Sequence, residues 1–176
     1  DIQKMGALRP ADEDILAAEI ERARHPLTHA PAPVQPLRQK LQEAMWEDVG
    51  VMRTQAGMTR GLKRIAEISD ELMGVGVAPD NLAFNLTWHD WLNMRSLCDV
   101  SEAIDKAGLA RENSRGAHFR EDFPDAGSLD DSYFTIATSG DKGIEVSRES
   151  VKFTIVKPGE SLLGADEAET LVEAAQ

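Results

Sequence analysis

Apolar residues return at helical intervals three times between Leu37 and Ala107, and this pattern constrains the chain more than any other feature. Leu37, Leu41, Met45, Val49 and Met52 recur at spacings of four, four, four and three. That is one face of an amphipathic helix over 37–55. Gly57 breaks the run, and Met58, Leu62, Ile65 and Leu72 carry a second helix over 58–73, with Glu67, Asp70 and Glu71 on its polar side. The segment 74–81, GVGVAPDN, is rich in residues that stop helices. A third helix over 84–108 runs through Trp88, Trp91, Leu92, Leu97, Val100, Ile104 and Ala107, with Gly108 as its C-terminal cap. Three such helices joined by short loops predict a mainly α fold, an antiparallel three-helix bundle over 37–109.

The flanks read differently. Residues 11–24 predict a short helix with acids at its start and arginines at its end. Its apolar stripe of Ile15, Leu16 and Ile20 is narrow, so it should lie on something larger. Pro26, Pro31, Pro33 and Pro36 then make an extended linker, completing a junction segment over 1–36. No period is visible from Leu109 to Asp131, a length that marks a functional or pinned loop. SYFTIATS, a turn at 140–143 and VKFTIVKP predict a short β-hairpin, with Val151, Phe153 and Ile155 alternating against Lys152 and Thr154. The loop and hairpin over 110–158 are an α+β appendage closing the same domain, and 159–176 is an acidic tail.

The 31 acids and 19 bases give a net charge of −12 over 176 residues. A field of that sign repels nucleic-acid phosphates and anionic lipid. No apolar run reaches the roughly 20 residues of a membrane span, and the single cysteine, Cys98, forbids an internal disulfide and fits a reducing compartment.

Within this acidic chain, 111–120 (RENSRGAHFR) gathers Arg111, Arg115, Arg120 and His118 around one acid, Glu112. Two readings stand. The arginines pin a long irregular loop through internal acids and carbonyls, or they hold a carboxylate, a phosphate or an acidic peptide as an independent binding module. Gly116 permits a tight turn between Arg115 and Ala117. Ser114 has His118 four residues on but lacks a G-x-S-x-G elbow. His25 and His29 have a metal-ligand spacing that Pro26 interrupts. Neither G-x-G-x-x-G nor a P-loop occurs. The residues alone therefore assign no catalytic, cofactor-binding or metal-ligating group.

At 110–124 the run ARENSRGAHFREDFP resembles the A-R-x-E-S-R-G-A-H signature in the C-terminal domain of succinate dehydrogenase and fumarate reductase flavoproteins, shared in part with L-aspartate oxidase. The likeness extends upstream to the segment ending in Arg53, to M-x-x-G-L at Met58–Leu62, and downstream to VSRESVKFTIVKP. Asn113 stands where the signature has an acid, which shifts or removes any ion pair made there.

The resemblance implies a domain of an FAD-dependent oxidoreductase whose FAD and dicarboxylate sites lie upstream, with FAD bound in the full-length protein and not by this chain alone. The isolated chain is then inactive, and DIQKMGALRPADEDI looks like the junction to the missing part. Arg111, Ser114, Arg115, Gly116, His118 and Arg120 become interface or loop-pinning residues. The implied partners are the upstream FAD-binding domain and an iron–sulfur subunit, without nucleic acid or direct membrane insertion. The implied location is cytoplasmic, at the inner membrane face through partner subunits. Within the same family, L-aspartate oxidase is the alternative parent.

Overall fold

The computed structural model describes residues 12–78, 82–140 and 143–160. Residues 1–11 of the expected junction, the centre of the hairpin turn and the acidic tail from 161 onward lie outside them.

Helix α1 spans Glu13–Arg24, where the Asp12 side chain accepts from the backbone N–H groups of Asp14 and Ile15. Helices α2 (Gln35–Asp48), α3 (Gln55–Met73) and α4 (Leu86–Ala110) form the bundle, with α3 packed against both others. Their shared core includes Leu37, Leu41, Ile65, Ile68, Leu72 and Met94. Each such side chain removed from water contributes about 1.5–3 kcal/mol. Trp91 is fully buried among them and donates its indole N–H to the Leu72 carbonyl at 3.1 Å. The fold is mainly α with a small β appendage, as the helical periods predict.

Several boundaries differ from the sequence reading. Helix α2 ends at Asp48, and Gly57 sits inside the first turn of α3 rather than breaking the chain. The Thr54 hydroxyl accepts the Gly57 N–H at 3.0 Å, so a side-chain cap starts α3 two residues ahead of the glycine. Met52 leaves the apolar face and enters a two-residue strand, β1 (Met52–Arg53), which pairs in parallel with β2 (Phe119–Arg120).

The buried line of α4 is Trp91, Met94, Cys98, Ser101, Asp105 and Gly108, while Leu97, Val100 and Ile104 are exposed. The expected stripe of this helix holds in the N-terminal half, where Trp91 is core and Trp88 and Leu92 pack against it, and fails further along at Leu97, Val100 and Ile104. Its C-terminal half turns small and polar residues inward, where β1 and the 111–120 loop approach.

The proline segment is not a free linker. Pro26 is buried in a 3₁₀ turn over His25–Thr28, and Pro31 forms a parallel bridge with Gly76. A methyl carbon at Gly76 would stand 2.0 Å from the His29 carbonyl oxygen, so the strap needs glycine there. Trp88 ties α1 to this end of the bundle by donating to the Ala23 carbonyl at 2.7 Å. The stripe of Ile15, Leu16 and Ile20 nevertheless remains exposed, and no residue of α1 is buried.

The hairpin is β3 (Tyr133–Gly140) paired antiparallel with β4 (Gly143–Ser150), in register Tyr133↔Ser150 through Gly140↔Gly143. The second strand is thus GIEVSRES, not VKFTIVKP. Pairing is continuous from Tyr133↔Ser150 to Gly140↔Gly143, so the second strand starts at Gly143. Phe153 and Ile155 lie beyond the strand and are exposed.

Candidate functional site

The 111–120 loop closes the C-terminal end of α4, where helix carbonyls lack intrahelical partners. Arg120, fully buried, supplies the missing donors. Its Nη1 lies 3.1 Å from each of the carbonyl oxygens of Gly108, Leu109 and Arg111. Its other edge grips Asp122 through Nε–Oδ1 at 2.7 Å and Nη2–Oδ2 at 2.8 Å. Asp122 Oδ2 also accepts the Gln55 N–H at 2.7 Å, at the start of α3. These bonds hold the Asp122 carboxyl down at about 2, the Arg120 contact being the principal cause.

Ser114 staples the loop to itself. Its hydroxyl accepts the Arg120 N–H at 2.8 Å and donates to the Phe123 carbonyl at 2.8 Å. Gly116 has φ of +58°, which lets Arg115 and His118 exchange two backbone hydrogen bonds at 2.9 and 3.1 Å around it. The Arg115 guanidinium reaches across the following segment to the Ala126 carbonyl at 2.5 Å, the Ser132 hydroxyl at 2.9 Å and the Ser128 carbonyl. Arg111 turns to the hairpin, donating to the Tyr133 carbonyl at 3.3 Å and the Thr135 hydroxyl at 3.2 Å. Arg111 and Arg148 both lie 4.8 Å from the Tyr133 ring centroid.

His118 faces inward. Arg53 Nη1 donates to its Nδ1 at 2.9 Å, and Nε2 faces the Arg111 carbonyl at 3.5 Å. This pattern requires a neutral imidazole with its proton on Nε2. Burial, followed by the Arg53, Arg111 and Arg120 charges, lowers the His118 pKa against the opposing pull of the Arg111 carbonyl. Asn113 is buried with Oδ1 unpartnered, so the position of the signature's acid is neutral here.

The sequence reading brought Arg111, Ser114, Arg115, Gly116, His118 and Arg120 into one loop, and the structure places all six at the end of α4. It missed their anchors. Arg53 also donates from Nε to the carbonyls of Val49 at 3.0 Å and Gly50 at 2.9 Å. Asp48 is buried in α2 and binds Arg60 (2.8 and 2.5 Å) and Arg64 (3.0 Å) of α3. Asp105 is fully buried in α4 with neither carboxyl oxygen partnered. A readable signal was present: Leu37, Leu41, Ala44 and Asp48, and likewise Trp91, Met94, Cys98, Ser101 and Asp105, keep helical spacing straight into an acid. His25 and His29 stack at 4.4 Å, their hydrogen-bond partners are carbonyls and Thr28, and the Trp91 ring lies 6.0 Å from that of His25. Among the described residues no cluster of three potential metal ligands occurs.

A helical bundle closed at one end by an arginine-pinned loop defines a helical domain with a small β appendage. The family model described as fumarate reductase flavoprotein C-terminus matches residues 38–162, and the chain belongs to that family. It is 30% identical over 132 residues to the fumarate reductase flavoprotein subunit of Mycobacterium tuberculosis, a match covering 73% of this chain and 22% of that protein. It is 31% identical over 142 residues to the succinate dehydrogenase flavoprotein subunit of Rickettsia conorii, covering 81% of this chain and 21% of the relative. Among solved structures, Mycobacterium smegmatis Sdh1 in complex with UQ1 superposes with a TM-score of 0.74 at 25% identity, covering 97% of this chain and 29% of that one. A quinol–fumarate reductase with menaquinol molecules gives 0.76 at 23% identity, covering 89% and 28%, and shows the shared fold. The chain thus spans about a fifth of the length of these curated relatives.

Proposed function

We propose that this chain is the C-terminal helical part of an FAD-dependent succinate/fumarate oxidoreductase and serves as scaffold and interface for an upstream FAD and dicarboxylate site. On this reading it carries no catalytic residue, and Arg111, Ser114, Arg115, Gly116, His118 and Arg120 pin the loop that shapes one end of the scaffold. The parent enzyme transfers a hydride between flavin and a dicarboxylate C–C bond, with an iron–sulfur subunit relaying electrons.

One observation carries the scaffold reading. At the loop end of the bundle, Trp46, Val51 and Met52 are 80%, 73% and 62% exposed, and Met52 pairs in register with Phe119 of the loop strand. Large apolar groups left bare beside a self-satisfied loop suit a docking face. The arginines that could meet a flavin pyrophosphate donate instead to carbonyls, hydroxyls and Asp122 within the same domain. These residues do not fit the cofactor, which supports a flavin site elsewhere in the parent protein.

The test is the visible absorption spectrum of the purified chain after incubation with excess FAD and desalting. A colourless protein is expected. Retained yellow flavin overturns the assignment, because the cofactor would then be bound by residues assigned here to the scaffold.

A further inference from the structure

Asp105 is the one fully buried carboxyl among the described residues with neither oxygen partnered. A charged carboxylate in that setting is strongly disfavoured, and a neutral acid is the form the site tolerates. The charged and titratable groups around it come from every neighbouring element. Asp48 approaches from α2, already claimed by Arg60 and Arg64 of α3. Arg53 approaches from β1, with His118 and Arg120 behind it on the loop. Helix α3 presents Gly61 and Met58, which are uncharged.

Gly61 fixes how close these elements come. A carbon added there would stand 2.6 Å from Asp105 Oδ2 and 3.2 Å from Asp48 Cβ, so the two acids flank one glycine. One helical turn further along α4, a carbon added at Gly108 would stand 3.7 Å from Arg53 Nη1 and 3.8 Å from His118 Cε1. Positions 105 and 108 share a helix face. The Arg53 guanidinium therefore lies over the same turn as Asp105 while donating to His118.

We infer that Asp105, Arg53 and His118 form a proton-responsive clasp that sets how tightly the 111–120 loop is held to the end of the bundle. With Asp105 protonated, Arg53 rests on His118 and the loop is closed. When Asp105 releases its proton to solvent, the new carboxylate draws Arg53 toward itself. His118 then loses its donor, and the closing contact between β1 and the loop loosens. Burial is the main force raising the Asp105 carboxyl to about 7, with Asp48 adding to it and Arg53 opposing it. The clasp is closed below that value and opens above it. Because the folded value is raised, stability falls as pH rises from the ordinary carboxylate range through about 7, then levels off.

The test is amide hydrogen exchange of residues 112–121 in the full chain, corrected for intrinsic rates, at about pH 5.5 and about pH 8.5. Exchange is expected to quicken about tenfold at the higher pH in the unmodified protein and to stay flat in Asp105→Asn. Equal protection at both values, or a pH response that survives in Asp105→Asn, overturns the clasp. Should that variant fail to fold, carboxyl ¹³C titration of the unmodified protein decides. A neutral-range midpoint for Asp105 supports the clasp, and a midpoint in the ordinary carboxylate range overturns it.

Discussion

Arg120 and Asp122, two residues apart, form a bidentate ion pair at 2.7 and 2.8 Å while the same guanidinium meets three carbonyls at the end of α4. One side chain thereby joins the end of one helix, the loop, and through Asp122 the start of α3. The substitution Arg120→Ala would strand Asp122 and three carbonyls together. Breaking a buried pair costs about 3–5 kcal/mol, and urea unfolding should register a loss near the lower end, since Asp122 retains solvent access.

Asp122 makes the domain sensitive to acid. Its carboxyl is depressed, so it contributes stability above the ordinary carboxylate range, and that contribution is lost as pH falls toward about 2. Acid unfolding followed by circular dichroism should therefore begin at higher pH in Asp122→Asn than in the unmodified chain.

Gly61 is a steric necessity. A side-chain carbon there would approach Asp105 Oδ2 to 2.6 Å and Val49 Cγ2 to 2.9 Å. Overpacking of this kind costs about 1–3 kcal/mol, so Gly61→Ala should lower the urea midpoint. Asp105→Ala in the same chain should recover part of the loss, because it removes the nearer obstacle.

Cys98 is buried, and desolvation pushes its thiol up to about 11, with Asp99 adding to the shift. At mildly alkaline pH the folded chain should resist alkylation by iodoacetamide, while the urea-unfolded chain reacts. Mass spectrometry of the two samples measures the difference.

Trp46 should be neutral to the fold. It is largely exposed at the end of α2, so Trp46→Glu is expected to change stability by no more than about 0.5 kcal/mol, as read by urea unfolding. A large destabilisation would mean that Trp46 supports the bundle rather than a docking face.

Local spacing was enough to place the bundle helices and the loop that matters. Periods at Leu37–Leu41 and Ile65–Leu72 reflect burial of one stripe per helix, which the order of residues records directly. The run from Arg111 to Arg120 was legible because cations cluster there in an acidic chain. Packing set which way α4 turns and what the arginines touch. Asp105 and Gly108 face inward although Val100 and Ile104 are more apolar, because β1 and the loop leave room only for small or polar side chains at that end. The partners of Arg120 lie partly at Gly108–Arg111 and that of His118 at Arg53, sixty-five residues upstream. No local pattern encodes such contacts, since they exist only once α2, α3 and α4 have packed and brought β1 beside β2. The hairpin pairs Tyr133–Gly140 with Gly143–Ser150, and the alternation of Val151, Phe153 and Ile155 lies beyond that ladder.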